Sequence, residues 1–309
     1  MRIKILGSAA GGGFPQWNCN CHNCESSRAG TFNGKTRTQT QVAVSHDDNA
    51  WFLLNTSPDL RLQIEATPAL SPRNAGRGSP IFGVLLTSGD IDQIAGLLSL
   101  RELQPFRVYC TASIRQILRE DNSVFAMLNR VSTQVLWTEI ASDESFPLLT
   151  VAGSDSGIGC TVFSLGSRFP AYVSPERAAS LNPEDALLGA TLTSSTGKRF
   201  AYIPAVPAVD DSLLRRLEDS DLLLFDGTFW SDDELIRVQG SGSTAREMGH
   251  IPVSGAEGSL RKLAGLRRPR KVFVHINNTN PMLDESGPEY REVRDAGWEI
   301  AEDGWSFEL

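Results

Sequence analysis

Short apolar or alternating runs separated by turn residues recur along this 309-residue chain, which is the pattern of many strands and fewer helices. Residues 2–6 read as the first strand. Residues 41–45 and 51–55 flank the polar stretch His46-Asp47-Asp48-Asn49, so the two runs predict a hairpin. Residues 83–86 read as a buried strand, and 94–103 are apolar at helical spacing. Further strands are predicted at 108–109, 135–137, 160–164, 190–193 and 199–203, and a helix at 212–217 with Asp210 or Asp211 as its cap. The buried strands 221–225 and 271–274 run straight into polar residues, Asp226-Gly227-Thr228 and His275-Ile276-Asn277-Asn278. Residues 122–151 show no clear period, and 153–159 read as a loop. With no internal repeat or low-complexity linker, residues 1–309 are expected to form one domain.

Composition narrows the function classes. A formal charge of −8 and a pI near 5.1 argue against binding nucleic acid or an anionic membrane, each of which needs a basic face. No stretch approaches the roughly 18 consecutive apolar residues of a membrane span, and residues 1–6 lack the apolar region of a signal peptide. A cytoplasmic protein handling a small molecule fits these properties.

Three of the five cysteines, Cys19, Cys21 and Cys24, fall within six residues, directly after a glycine-rich run. Thiolates two and three residues apart on a loop can converge on one tetrahedral cation, and Zn²⁺ suits sulfur. Unrelated free thiols are the plainer alternative. A closed site needs a fourth ligand from elsewhere. Cys110 and Cys160 lie far apart and read as ordinary buried thiols.

Polar loops at strand ends hold the remaining chemistry. The run Thr87-Ser88-Gly89-Asp90-Ile91-Asp92-Gln93-Ile94 resembles the strand–loop–helix of the metallo-β-lactamase superfamily, where the loop reads His-x-His-x-Asp-His; Ser88, Asp90, Asp92 and Gln93 stand in those four places. Asp90 and Asp92 are either ligands for a hard or borderline cation or caps of a helix N-terminus. Asp226 is a turn former or a ligand. His275 and His250 stand in loops where imidazole serves metal ligation or proton transfer, whereas His46 reads as a surface residue.

Taken together, the segments 6–21, 55–61, 96–102, 226–228, 246–250 and 275–281 closely resemble the coenzyme pyrroloquinoline quinone (PQQ) biosynthesis protein B family. The resemblance implies a metallo-β-lactamase-like αββα sandwich of two mixed sheets flanked by helices. It implies a role in making PQQ from a Glu and a Tyr of a precursor peptide, through iron-dependent hydroxylation of the tyrosine ring, with O₂ and a small peptide-derived substrate as partners. Carried onto this chain, it implies Asp90, Asp92, Asp226 and His275 around Fe²⁺, with His250 as ligand or general acid/base and Asp92 also in catalysis. For the cysteine site, related superfamily members place the fourth Zn²⁺ ligand where Asn278 stands; His22 is the alternative. The departure is Gln93, where the family pattern carries His. Three explanations stay open: the site accepts an amide, it uses another ligand, or the chain has drifted in substrate or activity. Arg61 and Arg246 are candidates for holding an acidic substrate, and Arg37, Arg61, Arg101 or Arg246 for holding PQQ itself if the protein is a non-catalytic carrier. A diverged metallo-hydrolase is a minor option, and a homodimer stays open.

Overall fold

The computed structural model describes residues 1–73 and 75–309. Its strands are β1 (Arg2–Gly7), β2 (Gln41–Ser45), β3 (Trp51–Leu54), β4 (Ile81–Leu85), β5 (Phe106–Cys110), β6 (Val135–Glu139), β7 (Ser145–Leu149), β8 (Asp155–Gly166), β9 (Leu187–Ser194), β10 (Arg199–Ile203), β11 (Leu222–Asp226), β12 (Arg270–Val274), β13 (Trp298–Ile300) and β14 (Ser306–Glu308). The chain forms two compact units. One comprises Met1–Leu6, Gln41–Lys198 and Gly304–Leu309; the other comprises Gly7–Thr40 and Arg199–Asp303.

In the first unit a mixed sheet runs β14-β1-β2-β3-β4-β5-β6. Strands β2 and β3 pair antiparallel as the predicted hairpin, with Asp48 in the left-handed region at φ 67° to make the turn. The pairs β3–β4, β4–β5 and β5–β6 are parallel. Trp51, Leu53, Val84 and Val108 bury one apolar face of this sheet with Leu60, Ile94, Leu97 and Ile114 from the following helices. A second set of strands, β7-β8-β9, is antiparallel throughout.

Two sequence expectations fail here for readable reasons. The helix expected over 94–103 is a short α-helix, Ile91–Ile94, followed by a 3₁₀ segment, Ala95–Leu100. Gly96 explains the tightening: its N–H donates to Thr56 O at 3.0 Å, and a Cβ there would stand 2.3 Å from Ser57 O. Of the loop expected over 153–159, residues 155–159 are instead the start of β8, which pairs with a β7 that the sequence pattern did not suggest. Gly157, Gly159 and Pro147 in these strands mask the alternation that identifies half-buried strands.

In the second unit β10, β11, β12 and β13 run parallel in that order. All five residues of β11 are buried, as expected of a parallel strand covered on both faces. Phe273 stacks on Trp298 at 4.1 Å between ring centroids, and Phe225 meets Trp298 edge-on at 6.1 Å. The helix Asp211–Leu217 opens as predicted, with Asp210 Oδ1 accepting from Leu213 N at 2.8 Å. Among the described residues no helix is long and apolar enough to cross a membrane.

The approach at Gly96 is directly testable. Gly96→Ala should lower unfolding stability by about 1–3 kcal/mol, because backbone rather than a flexible side chain must move. Urea denaturation followed by circular dichroism reads this, and an unchanged midpoint contradicts it.

Candidate metal centres

Within the second unit the fold gathers two groups of metal-ligating side chains, Cys19 with Cys21 and Cys24, and Asp226 with His250 and His275. In each group the ligand atoms lie within 4.8 Å of one another. These are the only such groups of three or more among the described residues.

The cysteine group is built by a loop turning into the helix His22–Ala29. Gln16 N and Cys21 N point at Cys24 Sγ (3.4 Å) and Cys19 Sγ (3.5 Å), donors that favour thiolate. Asn278 reaches in from the segment after β12, with its Nδ2 at 3.1, 3.6 and 3.3 Å from the sulfurs of Cys19, Cys21 and Cys24. The residue expected as fourth ligand is thus beside all three sulfurs, although its nitrogen rather than its oxygen faces them. His22 is exposed and outside the group, which removes the alternative. Burial opposes ionisation of Cys19, yet hydrogen bonds involving Cys21, Cys24 and Asn278 outweigh it and hold that thiol below its ordinary value. Burial pushes Cys21 up to about 12. One easily ionised thiol beside a reluctant one is what a cation relieves, since metal binding replaces the protons.

The second group sits at the C-terminal ends of two adjacent parallel strands, where α/β sheets hold ligands. Asp226 ends β11 in register with Val274, and His275 follows β12 at once. His275 has φ 57°, a left-handed conformation that costs a non-glycine residue about 1–2 kcal/mol and turns the chain sharply off the strand. His250 arrives from the segment after Gly249, held by His250 N to Ala245 O at 2.9 Å and Ile251 N to Val206 O at 2.7 Å. Asp226 is fully buried. Its Oδ1 accepts from Thr228 N (3.0 Å) and Thr228 Oγ1 (2.6 Å), and its Oδ2 from Val206 N (3.0 Å) and His250 Nδ1 (2.9 Å). The two imidazoles stack at 5.3 Å between centroids.

Asp90, Asp92 and Gln93 belong to the first unit and are absent from both groups. Asp90 precedes the helix Ile91–Ile94 but makes no side-chain cap; its Oδ2 accepts from Ser88 Oγ at 2.8 Å. Asp92 is half-buried in the first turn of that helix. Gln93 is buried with its Oε1 accepting from Thr87 Oγ1 at 2.9 Å, and Thr87 is in turn bonded to Asn55. Its amide oxygen is therefore part of a buried hydrogen-bond network. Arg61 is exposed beside Glu65 at 2.7 Å. Arg246 is exposed and reaches the carbonyls of Pro207 (3.4 Å) and Glu257 (3.2 Å). Neither arginine belongs to a metal group.

Comparison with known proteins gives this geometry a family. The model of the Beta-lactamase superfamily domain matches residues 50–276. Coenzyme PQQ synthesis protein B of Methylobacterium sp. (strain 4-46) is 44% identical over 100% of both chains, and that of Pseudomonas putida (strain GB-1) is likewise 44% identical over 100% of both. The chain belongs to the coenzyme PQQ synthesis protein B family. A crystal structure of Zn²⁺-bound PqqB from Methylobacterium extorquens superposes with a TM-score of 0.91 at 43% identity, covering 100% of each chain. A diphosphatase of the PhnP family, at 19% identity and TM-score 0.68 over 100% of this chain and 97% of its own, shares the fold. The fold class is the expected metallo-β-lactamase-like one, two mixed sheets flanked by helices.

Three residues central to this geometry escaped the sequence reading. Thr228 bridges Asp226 and both histidines, Asn23 donates to the carbonyls of Asn278 (3.1 Å) and Asn280 (3.0 Å), and Glu234 accepts from Trp230 N (2.6 Å) and Thr279 Oγ1. Asn23 lies between two metal-group cysteines, and Thr228 lies two residues after Asp226. Position was the only available signal.

Two outcomes follow. Gln93→Leu should cost about 1–3 kcal/mol in denaturant unfolding by stranding a buried polar partner, with bound metal unchanged by elemental analysis. Burial raises the Glu234 carboxyl from 4.5 to about 7. Between those pH values the native state keeps a proton that the unfolded state has lost, so stability falls as pH rises, by up to roughly 1.4 kcal/mol per unit, and levels off above the window. Glu234→Gln should flatten that slope in melts recorded from pH 5 to 7.

Proposed function

We propose that the chain acts in coenzyme PQQ synthesis, as an iron(II)-dependent hydroxylase of the tyrosine ring in a Glu-Tyr unit derived from a precursor peptide. The observation that carries this reading is the convergence of Asp226, His250 and His275, all buried, within 4.8 Å. Two imidazoles and one carboxylate are the donor set of non-haem iron oxygenases, and the full-length relatives named for PQQ synthesis support the pathway.

The donor chemistry separates two metals. Three sulfurs beside an amide suit Zn²⁺ in a closed structural site, which the Zn²⁺-bound relative supports. The nitrogen and oxygen donors suit Fe²⁺, which when bound would supply the activation of O₂. One oxygen atom would enter a ring C–H position and the other would leave as water, with two electrons from an external reductant and two protons from solvent. The protein's own groups hold and orient. Asp226 anchors His250 through Nδ1 at 2.9 Å, and the buried surroundings limit water at the donor atoms. Asp90 and Asp92 carry no part of this reading. The carrier alternative draws no support from Arg61, engaged with Glu65, or from Arg246, engaged with backbone carbonyls.

The test is anaerobic loading with Fe²⁺, then O₂ and a Glu-Tyr peptide with reductant, followed by mass spectrometry. The expected result is O₂ uptake with one oxygen added to the tyrosine ring, lost in His275→Ala. No O₂ uptake and no oxygen added to the peptide by the iron-loaded protein overturns the proposal.

A further inference from the structure

A cavity of about 190 Å³ lies wholly within the first unit, at the N-terminal ends of β4 and β5 and so at the opposite end of β4 from the loop carrying Asp90, Asp92 and Gln93. Its apolar lining comes from Ile64, Leu70, Ile81, Leu100 and Phe106. Leu70, Ile81 and Phe106 are core residues, whereas Ile64 and Leu100 are only partly buried against that core. The core thus reaches the surface here with apolar side chains uncovered. Size decides what fits: pockets for drug-sized ligands begin at about 300 Å³, whereas a cavity of roughly 150 Å³ with such a lining takes a benzene-sized group. One ring or one branched aliphatic chain fits, and a multi-ring cofactor does not.

The mouth is positive, in a chain whose net charge is −8. Glu102 lines the cavity, with Oε2 at 3.7 Å from Arg77 Nη1 and Oε1 at 3.7 Å from Arg101 Nη2, so two cations share one anion. Arg101 Nη1 also donates to Leu98 O at 2.9 Å, which keeps its guanidinium beside the cavity. Arg61 is matched by Glu65, and Arg73 turns to Asn49 Oδ1 at 2.6 Å, which leaves the excess charge at Arg77 and Arg101. Ion pairs this long and exposed contribute little, so an incoming carboxylate disrupts little when it joins the two guanidinium groups. Between the lining residues Glu102 and Gln104, Leu103 adopts φ 67° with 54% of its surface exposed. A left-handed leucine is strained, and such strain collects at ligand sites. Here it sets its two neighbours at the cavity and leaves Leu103 outside.

We infer that this cavity binds a small monocarboxylic acid whose apolar part is a single ring or a branched chain. The apolar part fills the cavity, the carboxylate lies at Arg77 and Arg101, and Ser99 and Gln104 supply polar groups in the same wall. A second copy of the chain is a poor occupant, because two such mouths bring like charges together. The site is independent of the metal centres, and its failure leaves the hydroxylase reading untouched.

The test is saturation-transfer NMR with calorimetry on the full chain, using 3-phenylpropionate and 4-methylpentanoate, each beside its uncharged primary amide. At least one acid should bind with a Kd on the order of 1 mM or tighter. Its amide should bind at least about fivefold more weakly. Arg77→Gln combined with Arg101→Gln should weaken the acid at least about fivefold and leave the amide within about twofold. Ser99→Leu, which fills the cavity, should abolish binding of both; its unfolding midpoint is measured alongside, and the exposed arginine variant decides the case if Ser99→Leu does not fold. No binding of either acid up to about 10 mM, equal affinity for acid and amide, or an acid indifferent to the arginine variant overturns the inference. Binding of a peptide with phenylalanine beside glutamate, when neither free acid binds, assigns the cavity to a protein partner and overturns it as well.

Discussion

The geometry of both metal groups depends on how the polar segment leaving β12 is held. His275 departs from the strand in a left-handed conformation, and Asn278 stands beside three sulfurs only three residues later. Such a short, buried and irregular stretch must find partners for its backbone groups. Asparagine side chains supply them. Asn23 donates to the carbonyls of Asn278 and Asn280, and Asn280 donates to the carbonyls of Gly227 (3.0 Å) and Thr228 (3.3 Å). A path of hydrogen bonds therefore leads from Asn23, between Cys21 and Cys24, through Asn280 to Thr228, which contacts both imidazoles.

That path suggests why the two groups share one unit. A closed sulfur site gives the segment a rigid anchor, and the anchor supports the strained turn at His275. Asp226, fully buried, keeps four hydrogen-bond donors around its carboxylate, which holds the site in shape. Glu234 ties the same segment to the helix Glu234–Gln239 through Thr279. Sulfur donors and nitrogen and oxygen donors thereby stand a few residues apart on one segment.

Much of this was legible in the sequence because it rests on local signals. The cysteine spacing, the polar residues directly after β11 and β12, and the hairpin around Asp48 each follow from residue type at a fixed offset. The helix after Asp90 was misjudged because the cause of its tightening, the contact of Gly96 with Thr56 and Ser57, is tertiary. For the same reason the bond from Thr87 to Gln93 was not foreseen. Its inward turn onto Thr87 depends on Asn55, thirty-two residues before Thr87, and no pattern in the loop itself points there. Thr228 is the sharpest case, since a threonine beside an aspartate carries no mark of the two distant histidines it joins.

The central claim is that one unit holds two chemically distinct metal sites linked through residues 275–280. Elemental analysis after equilibration with excess Zn²⁺ and removal of loose metal tests it most directly. The account predicts two equivalents in the wild type, one in His275→Ala, and one in Asp226→Asn with the sulfur site still filled. A single equivalent in the wild type, or two in His275→Ala, contradicts it.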